Sequence, residues 1–192
     1  MDTKRGEYKN ALRSKALIRK AFLDLFEEKP FDKISVTDIV KRADINRGTF
    51  YLHYKDVSGV LEQIALSIVD ELADKLNSLD IQSIIKNPEE AFVMISEFLE
   101  KDYEFYKKLI SLDHTGFALN QAILRGEKYI KAFPGEFLSQ LGEHPEIVMN
   151  YILAGSLNVY CHILVGASSL SLKEAPSYLG RFAREVMMAR LG

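Results

Sequence analysis

Residues 44–56 read DINRGTFYLHYKD, and this stretch concentrates groups able to grip a nucleic acid. The guanidinium fork of Arg47 matches guanine O6/N7 or a phosphate. Gly48 costs about 1 kcal/mol in helix propensity, but its missing side chain lets a backbone come close to DNA. Thr49 can meet a base edge or a thymine methyl, and an exposed Leu52 suits the same methyl. Tyr51, His53 and Lys55 carry donors for phosphate oxygens, contacts that fix register without reading sequence. Thr37, further up the chain, can hold the nucleic-acid backbone from the other side. The chemistry is recognition rather than bond-making.

These groups act together only if one helix turns them the same way. With Phe50 taken as the inward direction at about 100° per residue, Gly48 and Leu52 fall nearly opposite it, and Thr49 and Tyr51 flank the outer face. Asn46 suits the N-cap of a short helix starting at Arg47, after the tight connection Asp44-Ile45-Asn46. Upstream, Ser35-Val-Thr-Asp38 opens another short helix, with Ser35 as N-cap, Asp38 favourable in the first turn, and Val36, Ile39, Val40 and Ala43 facing inward. Two short helices joined by a tight turn form a helix-turn-helix, whose second helix can enter the major groove of duplex DNA. An ordinary helical hairpin, with Tyr and His capping a core, fits the same spacing.

The remaining elements follow the same period. Ile18, Ala21, Phe22, Leu25 and Phe26 recur at i, i+3, i+4, i+7 and i+8, predicting an amphipathic helix over roughly 9–28 that Pro30 ends. A longer helix is predicted over about 57–76, then a weakly patterned bridge, NSLDIQSIIK. Asn87-Pro88-Glu89-Glu90 reads as a helix start, with Asn87 as N-cap and Pro88 at the first helical position. Helical patterns continue to about residue 110, then over about 114–133, 145–166 and 173–190. The expected fold is all-α with about nine helices. A three-helix domain carrying the helix-turn-helix over residues 1–56 precedes a larger helical bundle over 57–192. No strand pattern, repeat or low-complexity tract appears.

Charge is divided along the chain. Residues 1–56 hold 13 Lys and Arg against 9 Asp and Glu, and residues 57–192 hold 12 against 18, within a formal net charge of -2. A basic N-terminal part on an acidic body is the asymmetry expected where one end meets a polyanion, although chance clustering gives it too. A hydrophobic content of 47% is enough for a real core. The single cysteine, Cys161, excludes an internal disulfide framework. The polar start, MDTKRGEYKN, has no apolar run of the kind a signal peptide needs, so a cytoplasmic location is expected. Ile147 to Leu172 contains no charged residue and is long enough to cross a bilayer. Asn150, Ser156, Asn158 and His162 interrupt it, however, and no Lys/Arg cluster flanks it. It is read as a helix buried on nearly all sides, not a membrane span.

Within the larger part, Ala154, Gly155 and Ser156 would permit close helix approach and mark a dimer interface. Covering the uncharged helix across a two-fold axis would also set two recognition helices about one DNA turn apart. The same helix could instead be the centre of its own domain. Phe98, Tyr106, Phe117, Asn158 and His162 together have the aromatic, apolar composition of a small-molecule pocket, though aromatics at helical spacing also build cores. Catalysis finds no support, because the sequence has no GxGxxG, P-loop, HExxH, GxSxG or CxxC motif. The four histidines, 53, 114, 144 and 162, are scattered, and Cys161 and His162 turn about 100° apart on a helix. No metal or cofactor is expected.

Residues 10–56, ALIRKAFLDLFEEKPFDKISVTDIVKRADINRGTFYLHYKD at their centre, resemble the N-terminal DNA-binding domain of the TetR/AcrR family of bacterial transcriptional regulators. The resemblance rests on the Phe-rich first helix, the loop Phe31 to Ile34, Thr-x-Ile-x-x-x-Ala, and Arg-Gly-Thr-Phe-Tyr-x-His-Tyr. It implies that Thr37, Arg47, Gly48, Thr49, Tyr51 and His53 lie at the DNA, with Lys55 at the following turn. Where many members carry a second Lys, this chain has Val57, followed by Ser58-Gly59 in place of acidic residues, which puts one phosphate contact per subunit in doubt. DYEFYKKLISLDHTGFALNQAI and AGSLNVYCHILVG resemble a C-terminal domain of some TetR-like proteins. The resemblance implies a homodimer on a pseudo-palindromic double-stranded operator, most simply a repressor released by a small-molecule effector. Its rival is a TetR-like coactivator or adaptor acting through a protein partner, for which the Val57 departure is the sequence support.

Overall fold

The computed structural model describes the backbone of residues 2–113 and 116–191, and their side chains other than those of 2–9, 127, 129 and 189–191. The chain forms two compact units, Met1–Ala65 and Leu66–Gly192. The described residues form eleven α-helices and no strand.

In the first unit, α1 (Asp2–Glu28) buries Ile18, Ala21, Phe22, Leu25 and Phe26, the stripe its spacing predicts, and Phe22 stacks on Phe26 with ring centroids 5.4 Å apart. One tight helical turn, Phe31–Lys33, leads to α2 (Val36–Arg42). Ser35 caps α2 reciprocally: its hydroxyl accepts from the Asp38 N–H at 3.2 Å, and the Asp38 carboxylate accepts from the Ser35 N–H at 2.9 Å. Two orphan donors are thereby satisfied. The capping hydrogen bonds from Ser35, followed by Lys29 at 2.9 Å, hold the Asp38 carboxyl well below its ordinary range. At the other end, Arg42 forks onto the Glu28 carboxylate through two bonds of 2.8 Å, tying the ends of α1 and α2 together. The turn then passes through Asp44 at φ +52°, a left-handed conformation that Asp tolerates better than most residues. Asn46 caps α3 (Arg47–Tyr51), its side-chain oxygen accepting from the Thr49 N–H at 2.7 Å.

Helix α4 (Val57–Asn77) begins in the first unit and ends in the second, and the Asp56 carboxylate caps its start by accepting from the Gly59 N–H at 2.9 Å. Next come α5 (Ile81–Lys86), α6 (Glu89–Glu100), α7 (Tyr103–Leu112) and α8 (Phe117–Ile130). The second unit closes with α9 (Gly135–Gln140), α10 (Pro145–Leu164) and α11 (Ala175–Leu191). Its core gathers Phe92, Ile95, Phe98 and Leu99 of α6 with Met149, Ile152, Tyr160 and Ile163 of α10 and Ala183 and Met187 of α11. Tyr160 donates its hydroxyl to the Phe92 carbonyl at 2.8 Å and stands 3.0 Å from the Ser96 hydroxyl. A buried polar group is satisfied there at little cost.

Three expectations are corrected. The bridge after α4 contains a helix, α5, whose first turn is capped by Asp80 accepting from Ser83 N–H at 3.0 Å. The helix predicted from Asn87 to about 110 is two, α6 and α7, separated at Lys101-Asp102. Asn87 is not its N-cap: the cap position falls on Pro88, and the Asn87 side-chain oxygen accepts from Arg184 at 3.1 Å.

Candidate nucleic-acid interface

Helix α3 is positioned by one residue that points inward. Phe50 is 0% exposed and packs against Tyr54 at 5.9 Å between ring centroids. Helices α1, α2 and α3 contact one another around this core. Everything on the opposite side of α3 is left to solvent. Arg47 and Gly48 are exposed, as are Tyr51 and Leu52, at 55% and 82%. Lys55 and, on α2, Thr37 are also exposed, whereas Thr49 and His53 are half-buried.

The polar groups on this face have local partners. The Arg47 guanidinium donates to the Thr37 hydroxyl at 2.6 Å, which brings the two together across the turn. The Thr49 hydroxyl donates to the capping oxygen of Asn46 at 3.1 Å. Gly48 has an intramolecular reason as well, since a Cβ there would stand 3.2 Å from that same oxygen. A side chain at 48 would therefore press on the cap as well as fill space at the surface. Sequence spacing alone carried no sign of this second constraint.

His53 is placed differently from a simple phosphate donor. Its Nε2 lies 2.6 Å from the Ser14 hydroxyl, which in turn donates to the carbonyl of Asn10 or Ala11, at 2.9 and 3.1 Å. Because the carbonyls can only accept, Ser14 uses its one proton on them and Nε2–H donates to Ser14. The neutral ring then has no proton on Nδ1. Burial, reinforced by the charge of Lys15, lowers the His53 pKa and favours this neutral form.

The start of α4 bears on the missing lysine. Val57 is half-buried, and the Asp56 carboxylate already occupies the helix terminus. An approaching phosphate meets negative charge there, so the helix end does not replace a lysine. Lys55 is the exposed cation beside it.

In the second unit, of the five aromatic and polar residues expected at a ligand pocket, Phe98 and Tyr106 meet, and the exposed Asn158 and His162 face away from the core. Phe98 is a core residue, 4% exposed and stacked on Tyr106 at 5.4 Å, and Phe117 is half-buried at the start of α8. Asn158 and His162 are exposed on α10. With Ile147, Tyr151 and Gly155 they fall at i, i+4, i+8, i+11 and i+15, within about 80° of one another, forming one outward stripe. Ala154 borders this stripe, but Ser156 is turned to the opposite side and is 5% exposed, so it is excluded from an outer face. The stripe continues onto α11, where Tyr178, Phe182 and Met188 are exposed and the Phe182 ring lies 6.4 Å from that of Tyr151.

Within its own chain α10 is thus not buried on nearly all sides. Its 18-residue window has a mean hydropathy of 1.4 and is 39% buried, so length and composition alone would allow a span. Its inner face packs on α7, α8, α9 and α11. Cys161 and His162 do not pair, since Cys161 is half-buried while His162 faces outward. Burial, helped by Asp113, pushes the Cys161 thiol up to about 11. His114 lies outside the described residues.

A short capped helix that turns Arg47, Gly48, Tyr51 and Leu52 outward behind a second helix defines a helix-turn-helix DNA-binding protein. Residues 18–64 match the family model for bacterial regulatory proteins, tetR family, so this part of the chain is similar to the DNA-binding domain of those regulators. Among curated relatives, the uncharacterised HTH-type transcriptional regulator YvdT of Bacillus subtilis strain 168 is 26% identical over 113 residues, covering 57% of this chain and 56% of that one. The HTH-type dhaKLM operon transcriptional activator DhaS of Lactococcus lactis is 27% identical over 105 residues, covering 55% and 53%. The chain therefore spans about half the length of the curated relatives it matches.

Among solved structures, a TetR-family transcriptional regulator of Syntrophomonas wolfei superposes with a TM-score of 0.67 at 16% identity, over 91% of this chain and 95% of that one. The dihydroxyacetone kinase operon activator DhaS superposes with a TM-score of 0.53 at 19% identity, over 93% and 96%. At such identities the likeness establishes the fold alone.

Proposed function

We propose that the chain works in the cytoplasm as a homodimeric repressor, setting two copies of α3 on a pseudo-palindromic operator and leaving it when a small molecule binds the second unit. The outward face of α3, with Leu52 82% exposed behind a fully buried Phe50, is the observation that carries this reading. Arg47 and Thr49 read bases, Leu52 and Gly48 lie against the groove floor, and Thr37, Tyr51 and Lys55 hold phosphates. His53 contacts a phosphate through Nδ1 only when its ring is protonated, because the neutral ring spends its proton on Ser14. The exposed apolar stripe of α10 and α11 supports dimerisation between like faces. Effector release needs only that the molecule bind the DNA-free state more tightly than the DNA-bound state.

Gel-shift titration against DNA upstream of the chain's own gene tests the reading. Arg47→Ala and Tyr51→Ala are each expected to weaken specific binding, Arg47→Ala by about tenfold or more. Unchanged binding in both variants would remove α3 as the reading helix. A second reading, activation, is favoured by the relative DhaS, which is named as an activator. A reporter driven by the bound promoter separates the two: deletion of the regulator raises its output for a repressor and lowers it for an activator. Binding that appears only with a second protein would point to an adaptor.

A further inference from the structure

The second unit holds a part-open cavity of about 90 Å³ between α6, α10 and α11, with Leu76, Ile84, Ile130 and Phe133 also on its wall. None of the residues expected at a pocket lines it. Among the described residues its wall is hydrocarbon and thioether, with Ala91, Ile95, Ile152, Met149 and Met187 prominent, apart from the hydroxyl of Ser156. We infer that this cavity is a binding site for a small, uncharged, mainly hydrocarbon molecule bearing at most one hydroxyl or carbonyl, which Ser156 hydrogen-bonds. This rests on the ligand-responsive reading above and specifies the chemistry of its effector.

The chemistry follows from the wall. Among the described residues no Lys, Arg, His, Asp or Glu lines the cavity, so a carboxylate or phosphate entering it meets no compensating charge from them. A polyol fails for a related reason, because one serine cannot satisfy three hydroxyls and each unpaired one costs free energy. An apolar cavity of this kind favours apolar guests. The methionines on two walls can swing aside for a somewhat longer chain. Ser156 sits on the opposite side of α10 from the exposed stripe, so it serves the cavity and not the surface.

Three probes of similar size distinguish the alternatives: 1-hexanol, hexanoate and glycerol, titrated into the full-length protein by calorimetry and thermal melting. Saturable binding of 1-hexanol with a raised Tm and a negative heat-capacity change is expected, with no response to hexanoate or glycerol. Ser156→Ala is expected to weaken 1-hexanol about fivefold. Ala91→Leu, which fills the cavity, should abolish binding. Should that variant fail to fold, Ile152→Ala, which enlarges the cavity, should instead tighten it. A response to hexanoate or glycerol equal to that of 1-hexanol would overturn the assignment, as would 1-hexanol binding unchanged in both cavity variants or no saturable binding at all. These measurements contain no DNA. Should 1-hexanol bind without altering operator affinity, the site stands and the release mechanism falls; release by a charged compound alone would leave the release mechanism standing and take this cavity out of it.

Discussion

His53 is where residue type and residue placement diverge most. As a letter in the sequence it is a donor near DNA, yet in the fold its Nε2 is committed to Ser14 of α1 and its pKa is lowered by burial and by Lys15. A histidine whose folded pKa lies below its unfolded value of 6.5 binds a proton more readily after unfolding. Its contribution to stability is therefore complete above that value and is lost as pH falls through the folded pKa. Urea unfolding at about pH 7.5 and about pH 5.5 is expected to show wild-type stability falling on acidification, and His53→Gln falling less. Equal losses would mean that the ring is not held neutral. Arg47, Gly48 and Leu52 were legible because their exposure follows from the position of one buried phenylalanine. The bond to Ser14 was not, since it joins residues 39 apart in the chain and depends on how α1 lies beside the turn.

In the first unit α2 and α3 were legible at their starts and α1 at its end because each of these has a chemical boundary, whereas α1 begins at Asp2, earlier than the predicted residue 9. Ser35 with Asp38 opens α2, Asn46 opens α3, and Pro30 follows α1. Replacing Ser35 by Ala removes the side-chain half of the capping box and is expected to cost about 1 kcal/mol, read as a lower urea midpoint with an unchanged slope. Loss of operator affinity should remain small in that variant, because Ser35 is not one of the groups on the outer face of α3. In the second unit the boundaries are fainter. Helix α5 has six residues, too few for a 3.6-residue period to stand out, and its Asp80 cap looks like any acidic loop residue. Asn87-Pro88 carried a strong local signal that tertiary contact redirected, with Arg184 of α11 taking the asparagine oxygen that a cap would use. Hydrophobic spacing likewise tells which face is inward, but not which inward residues leave space between them, so the residues around the cavity could not be read from the sequence.

At the scale of the whole molecule, an exposed strip made of Ile147, Tyr151, Tyr178, Phe182 and Met188 is too apolar to be left to water without consequence. If two copies cover it, Tyr151→Glu together with Phe182→Glu should give a monomer by sedimentation or light scattering, with operator affinity lost though α3 is untouched. A variant that stays dimeric would place the two-fold axis elsewhere. The cavity nearby depends on a residue that does not line it. Gly180 of α11 passes so close to α6 that a Cβ there would stand 2.7 Å from the Cα of Glu89. Ala91 and Ala183 face the cavity from those same two helices. A single missing methyl thus acts as the spacer for the chamber's two walls: their separation is gauged by hydrogen where every other amino acid would put carbon.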